Sequence, residues 1–181
     1  LDVIRMVGVG QKGHLGGSCS LGEIVAVLYF HQMRHDPGNP DWEERDRFLL
    51  SKGHAALIQY AALAEAGYFS KAELDKVKRL GAMLQGHPDM KTTPGIEGNT
   101  GSLGQGLSMA CGMAAGIRID KKKSKVYCVI GDGEIAEAGL QFGMSYPRAV
   151  PKPMVNTRMP RSTACCAAST GSGPKLLAPS V

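Results

Sequence analysis

The chain has 181 residues, 43% of them apolar and 20% charged, a composition suited to one globular domain with a buried core and not to a disordered class. No apolar run is long enough to span a bilayer, and Leu1–Gly10 lacks the basic start and long apolar core of a secretory leader. The net charge of +5 sits wholly in residues 138–181, which hold five scattered basic residues and no acid; residues 1–137 balance 16 against 16, so no nucleic-acid groove is expected.

The predicted elements alternate helix and strand. Ser20 with Glu23 reads as a capping box, and Leu21, Ile24, Val25 and Leu28 follow at helical spacing toward Arg34. Pro37, Gly38 and Pro40 break that helix. Arg47–Ser51 contains a short apolar run, Phe48-Leu49-Leu50, expected as a buried strand. Ala55–Ala66 is built from helix formers and Gly67 is placed to end it. A second capping box, Ser70 with Glu73, predicts a helix to about Leu80. Gly81–Gly101, rich in Gly, Pro and Thr, reads as a long loop, and a loop of that length is usually functional. Gly104–Ile119 is a helix of small residues. Lys125–Ile130 is the best strand in the sequence and runs directly into Gly131-Asp132-Gly133. Such alternation argues for an α/β fold, a parallel sheet flanked by helices.

From residue 138 onward the pattern changes. Six of the ten prolines fall there, apolar periodicity fades, and neither a helix nor a buried strand is expected. Cys19, Cys111 and Cys128 sit singly among small or apolar neighbours, which reads as reduced packing in a cytoplasmic protein. Cys165 and Cys166 lack the two-residue spacer that metal sites favour.

Three constellations can carry chemistry. Gly131-Asp132-Gly133-Glu134 follows a strand, where glycines let a backbone approach a phosphate and an aspartate offers a hard oxygen ligand. By itself the tripeptide is also ordinary turn chemistry. Three of the five histidines follow a glycine, at Gly13-His14, Gly53-His54 and Gly86-His87. Imidazoles there can move protons or bond sugar hydroxyls, with space beside them for a ligand. The run Asn99–Gly106 alternates glycines before a helix start, which suits either close packing or a polar ligand. His31 and His35 have zinc-like spacing, but no acid lies between them and they are expected on a solvated helix end. Lys121–Lys123 with Lys125 reads as a charged connector.

In this order the motifs resemble the N-terminal portion of transketolases. They are Lys12-Gly13-His14-Leu15-Gly16-Gly17, Arg45 through His54, Gly86-His87-Pro88, Gly95 through Gly106, and Gly131 through Glu134. The Ser51-Lys52-Gly53-His54 form is closest to split-gene N-terminal subunits. The resemblance implies a thiamine-diphosphate-binding fold, truncated here, with residues 1–137 as its incomplete diphosphate-side domain. It implies that Asp132 holds Mg2+ or Ca2+, that Gly133 touches the diphosphate, and that His54 contacts the cofactor. Gly101 and Leu103 would support its rings. His14 and His87 would face the ketose and assist proton transfers, and Glu137 would lie near a dimer interface. The implied reaction moves a two-carbon ketol unit from a ketose phosphate to an aldose phosphate, as in the pentose phosphate pathway, with thiazolium as the electron sink.

The glutamate that activates the cofactor lies, in this family, in a separate pyrimidine-binding domain. The resemblance therefore implies a partner, a C-terminal transketolase subunit or that domain, and an oligomeric site. Family members continue past the matched glutamate with a glycine, a helix and a strand ending on a metal-binding asparagine. Here Ala138 stands at the glycine, Pro147, Pro151 and Pro153 interrupt a helix, and Asn156 arrives too early for that role to be transferred. Residues 138–181 are accordingly expected to be a divergent tail, frame-shifted or disordered. Two rival expectations stand beside ketol transfer: another thiamine-diphosphate-dependent transferase, and a non-catalytic remnant that binds no cofactor.

Overall fold

The computed structural model describes residues 1–8 and 13–136, together with the backbone of 164–168. The elements are α1 (Asp2–Gly8), α2 (Leu15–Cys19), α3 (Gly22–Val27), β1 (Arg47–Leu50), α4 (Ala56–Ala66), α5 (Gln105–Ile119), β2 (Val126–Ile130) and β3 (Ala164–Ala168). Helix α3 runs on into a π turn, Leu28–Gln32, and 3-10 turns occupy Gly53–Ala55, Lys71–Lys76 and Gly133–Ala136.

Strands β1 and β2 pair in parallel, Arg47 opposite Val126 through Leu50 opposite Val129. Side-chain alternation along them builds two apolar layers. Phe48, Leu50, Tyr127 and Val129 belong to a large core shared with α1, α3 and α4, in which Tyr60 and Leu63 are fully enclosed. Leu49, Val126, Cys128 and Ile130 face the other way, against Leu107, Ala110 and Ala114 of α5. All five residues of β2 are buried, as expected for a strand covered on both faces.

The parallel pair flanked by helices agrees with the expected α/β class. The sheet is nonetheless mixed, because β3 lies antiparallel to β2, Val126 opposite Ala168. This strand departs from the tail's sequence pattern. The reason is geometric: β2 has a second edge, and a run of small residues can follow a neighbour's ladder without an apolar pattern of its own.

Both capping boxes form differently. Ser20 closes α2, its Oγ donating to the Gly17 carbonyl at 3.2 Å, and α3 starts after buried Leu21 with no side-chain cap. Ser70 does accept from the Ala72 N–H at 3.3 Å, but Glu73 pairs with Lys76 at 2.6 Å instead of reaching back. The segment after Ser70 is a 3-10 turn that stops at Lys76, because Leu74, Val77 and Leu84 must all reach the core and Lys78 turns the chain at φ +62°. By contrast, α4 ends as expected. Gly67 adopts φ +99°, and its N–H and that of Tyr68 bond back to Leu63 O.

Two expectations about single residues need correcting. His35 is not on a solvated face: it is half-buried, with Nε2 2.6 Å from Tyr29 O, Nδ1 3.1 Å from Tyr68 Oη, and its ring stacked on Tyr68. Cys19 is exposed, not packed; the short α2 turns it outward. Asp46, between the two arginines of its motif, is structural. It is buried and accepts from Arg34 N at 3.0 Å and Lys125 N at 2.7 Å, tying the entries of β1 and β2 together.

Candidate functional site

Parallel pairing brings the carboxyl ends of β1 and β2 to one edge of the sheet, so the segments Ser51–His54 and Gly131–Glu134 leave side by side. The segment Thr100–Gly104 joins them from α5. Thr100 Oγ1 donates to Leu50 O at 2.6 Å. Contact is so close at two points that only glycine fits: a Cβ on Gly53 would overlap the Thr100 carbonyl, and one on Gly106 would lie 2.5 Å from Ser51 Cα.

These segments enclose a cleft of about 340 Å³ whose walls include Gly16, Gly17, Lys52, His54, Leu103, Gly131, Asp132, Gly133 and Glu134. Five of the expected site residues can be placed on it or against it. His54 is half-buried on one wall, with Leu103, Asp132 and Gly133 on the others. A Cβ built on Gly133 would meet nothing within 4 Å, so the backbone there is open to a ligand. His14 packs edge-on to His54, ring centroids 5.0 Å apart. Gly101 and His87 form the next layer outward: a Cβ on Gly101 would lie 3.0 Å from the His87 ring. The Tyr60 hydroxyl, 2.9 Å from both Gln85 O and His87 O, anchors the loop that carries that histidine. The structure thus gathers all seven expected residues at one edge, with His14 and His87 exposed and beside His54 and Gly101 respectively, outside the cleft's own lining. Glu137 lies outside the described residues.

Electrostatics in the cleft are mixed. Burial holds the Lys52 ammonium below the usual lysine range, and the nearby Asp132 and Glu134 carboxylates oppose that. His54 is also pushed down, by burial first and then by His14 and Lys52, so its imidazole is neutral at neutral pH and can both donate and accept. Among the described residues no three His, Cys, Asp or Glu side chains converge as a metal cage. Asp132 is the hard oxygen donor exposed in the cleft.

Sequence reasoning assigned no role to Lys52 and Glu134, although both lie within the quoted motifs. Lys52 is only 4% exposed, and it runs along Gly131 into the cleft. Glu134 is 1% exposed, its carboxylate committed to three hydrogen bonds. A charged residue within a few positions of a buried strand end was the available signal, since it has to be paired or serve a ligand.

Residues 2–146 match the family model described as transketolase, thiamine diphosphate binding domain. The 6-deoxy-6-sulfo-D-fructose transketolase subunit SqwG of Clostridium sp. (strain MSTE9) is 51% identical over 137 residues, covering 76% of this chain and 49% of that protein. Transketolase of Homo sapiens is 47% identical over 147 residues, covering 81% of this chain and 23% of that protein. Among solved structures, transketolase of Pichia stipitis in complex with sedoheptulose 7-phosphate superposes with a TM-score of 0.73 at 32% identity, covering 80% of this chain and 23% of that one. The chain therefore spans about half or less of the length of these relatives.

Proposed function

The chain belongs to the transketolase family, within its thiamine-diphosphate-binding domain, and from that premise we propose that the cleft is the diphosphate side of a thiamine diphosphate site serving ketol transfer. The reaction is transfer of a two-carbon ketol unit from a ketose phosphate to an aldose phosphate in the cytoplasm, as in the pentose phosphate pathway. The observation that carries this reading is the convergence of Lys52, His54, Asp132 and Gly133 at the carboxyl ends of two parallel strands.

The residues present fit the group. An open Gly133 backbone and the buried Lys52 cation suit a diphosphate, and His54 adds a neutral hydrogen-bonding ring. Asp132 would hold the divalent ion, Mg2+ or Ca2+, as a hard oxygen ligand. Leu103 offers an apolar contact, and Gly101 the backbone beside it, for the cofactor's rings. When bound, the cofactor supplies the electron sink for making and breaking the carbon–carbon bond. The protein's part is orientation and proton control, for which His14, packed on His54, and His87, beside Gly101, stand exposed.

Catalysis by this chain needs a partner, a C-terminal transketolase subunit or other pyrimidine-binding domain, and an oligomeric assembly. The reading is supported by a relative that is itself named as a subunit. That relative's name also raises a second possibility for the ketose: its terminal anion is a sulfonate instead of a phosphate. Residues 138–181 we take as a divergent tail, a reading that translating the coding DNA in the other frames would test.

The test is reconstitution. Mixing the chain with a C-terminal transketolase subunit, thiamine diphosphate and Mg2+ should give ketol transfer from a ketose phosphate, or from a 6-sulfonated ketose, that neither chain gives alone. No transfer from either donor by a complex that assembles and holds cofactor would contradict the ketol-transfer role.

A further inference from the structure

Glu134 stands two residues beyond the aspartate assigned to the metal, yet its carboxylate is turned inward and almost wholly enclosed. Oε1 accepts from the Gly131 N–H at 2.7 Å. Oε2 accepts from the Ser51 hydroxyl at 2.9 Å and from the Gly104 N–H at 2.9 Å. The three donors belong to three different segments: the end of β2, the end of β1, and the residue that opens α5 at φ +79°. Each of those segments supplies a wall of the cleft: Asp132 and Gly133 from the first, Lys52 and His54 from the second, Leu103 from the third.

We propose that Glu134 is a positioning residue, a buried carboxylate that sets the spacing of the three cofactor-binding segments without touching cofactor or metal. The inference rests on the thiamine diphosphate reading above. Its physical basis is the acceptor-only nature of a carboxylate. Three converging donors, two of them backbone N–H groups that cannot turn away, need a group with no proton of its own to offer. A glutamine cannot replace it, because whichever way its amide is turned an NH2 faces a fixed N–H. The contact between Gly106 and Ser51 works in the same direction, pressing the first turn of α5 onto the end of β1. Lys52 adds only a longer-range attraction, which it shares with Asp132.

The test compares the full chain with Glu134→Gln and Ser51→Ala, the latter removing one bond of the three and kept in case the former does not fold. Two readouts are taken: amide hydrogen exchange without cofactor, and thiamine diphosphate affinity with Mg2+ by calorimetry. Glu134→Gln should speed exchange in 51–54, 100–105 and 131–134 while α4 keeps its wild-type protection, and should weaken cofactor binding by about tenfold or more. Ser51→Ala should do the same in smaller measure, about threefold to fivefold. Faster exchange spread equally over α4 would mark a merely structural role and overturn the inference, as would variants that bind the cofactor as wild type does. A wild-type chain that binds no thiamine diphosphate, alone or with a partner subunit, would overturn the underlying reading instead.

Discussion

Gly106 gives the sharpest energetic test of how the cleft is built. In an exposed helix, Gly→Ala stabilises by roughly 0.5–1 kcal/mol, because glycine loses more backbone entropy on folding. At Gly106 the same change places a methyl 2.5 Å from Ser51 Cα, Cβ and Oγ. Two of those atoms move only with the strand end, so α5 and β1 have to separate by roughly 1 Å. Overpacking of that kind costs about 1–3 kcal/mol, and the contact with backbone places it toward the upper end. Subtracting the helix gain leaves a net loss of about 2 kcal/mol. For a chain of this size that lowers the melting temperature by roughly 4–8 °C. Gly112 and Gly116, on the same helix, have nothing within 4 Å of a built Cβ and serve as controls. Their alanine variants should be more stable than wild type by about 0.5–1 kcal/mol each. Urea unfolding followed by circular dichroism measures all three. A Gly106→Ala chain as stable as wild type would refute the packing argument.

Asp132→Asn should weaken metal-dependent cofactor binding by about tenfold or more, since it replaces a hard anionic donor with a neutral one; unchanged affinity removes Asp132 from the site. His87→Ala should spare cofactor binding and impair ketol transfer in a reconstituted complex, and loss of cofactor affinity would contradict its substrate-facing place. Glu97, bonded to Arg45 through both oxygens at 3.1 Å, is pushed by burial up to about 7, with Arg45 pulling back. Because its folded pKa lies above the unfolded value of 4.5, the folded state holds more protons between those limits. Stability from this group is therefore present at low pH and declines as pH rises from about 4.5 to about 7, by at most about 3 kcal/mol. Unfolding curves for wild type and Glu97→Gln across that range should converge at one end and diverge in this sense; a rise with pH would contradict it.

Much of the fold was legible because its signals are local. Phe48-Leu49-Leu50 and Val126–Ile130 are β-branched and apolar runs of strand length, and Gly67 ends α4 where an αL residue is needed. The capping boxes misled because local alternatives won: Ser20 Oγ donates back to the Gly17 carbonyl, and Glu73 pairs with Lys76 instead of reaching back to Ser70. His35 looked solvated because its partners, Tyr29 O and Tyr68 Oη, sit six and 33 residues away. For the site, the motifs named segments that the fold brings together, and each expected residue lies at the same sheet edge. Which carboxylates face the cleft and which are enclosed was not readable. Glu134 is close to Asp132 in sequence, yet a turn of the chain sends one carboxylate into the cleft and the other into the protein.

Titration of thiamine diphosphate into the chain by calorimetry, with Mg2+ and then with the metal chelated, tests the central claim most directly. It should be run with the chain alone and again with a C-terminal transketolase subunit. The geometry of the cleft predicts saturable binding at one site per chain, strengthened by the partner and weakened sharply on chelation. No binding in either setting would contradict the claim that this cleft holds the cofactor's diphosphate.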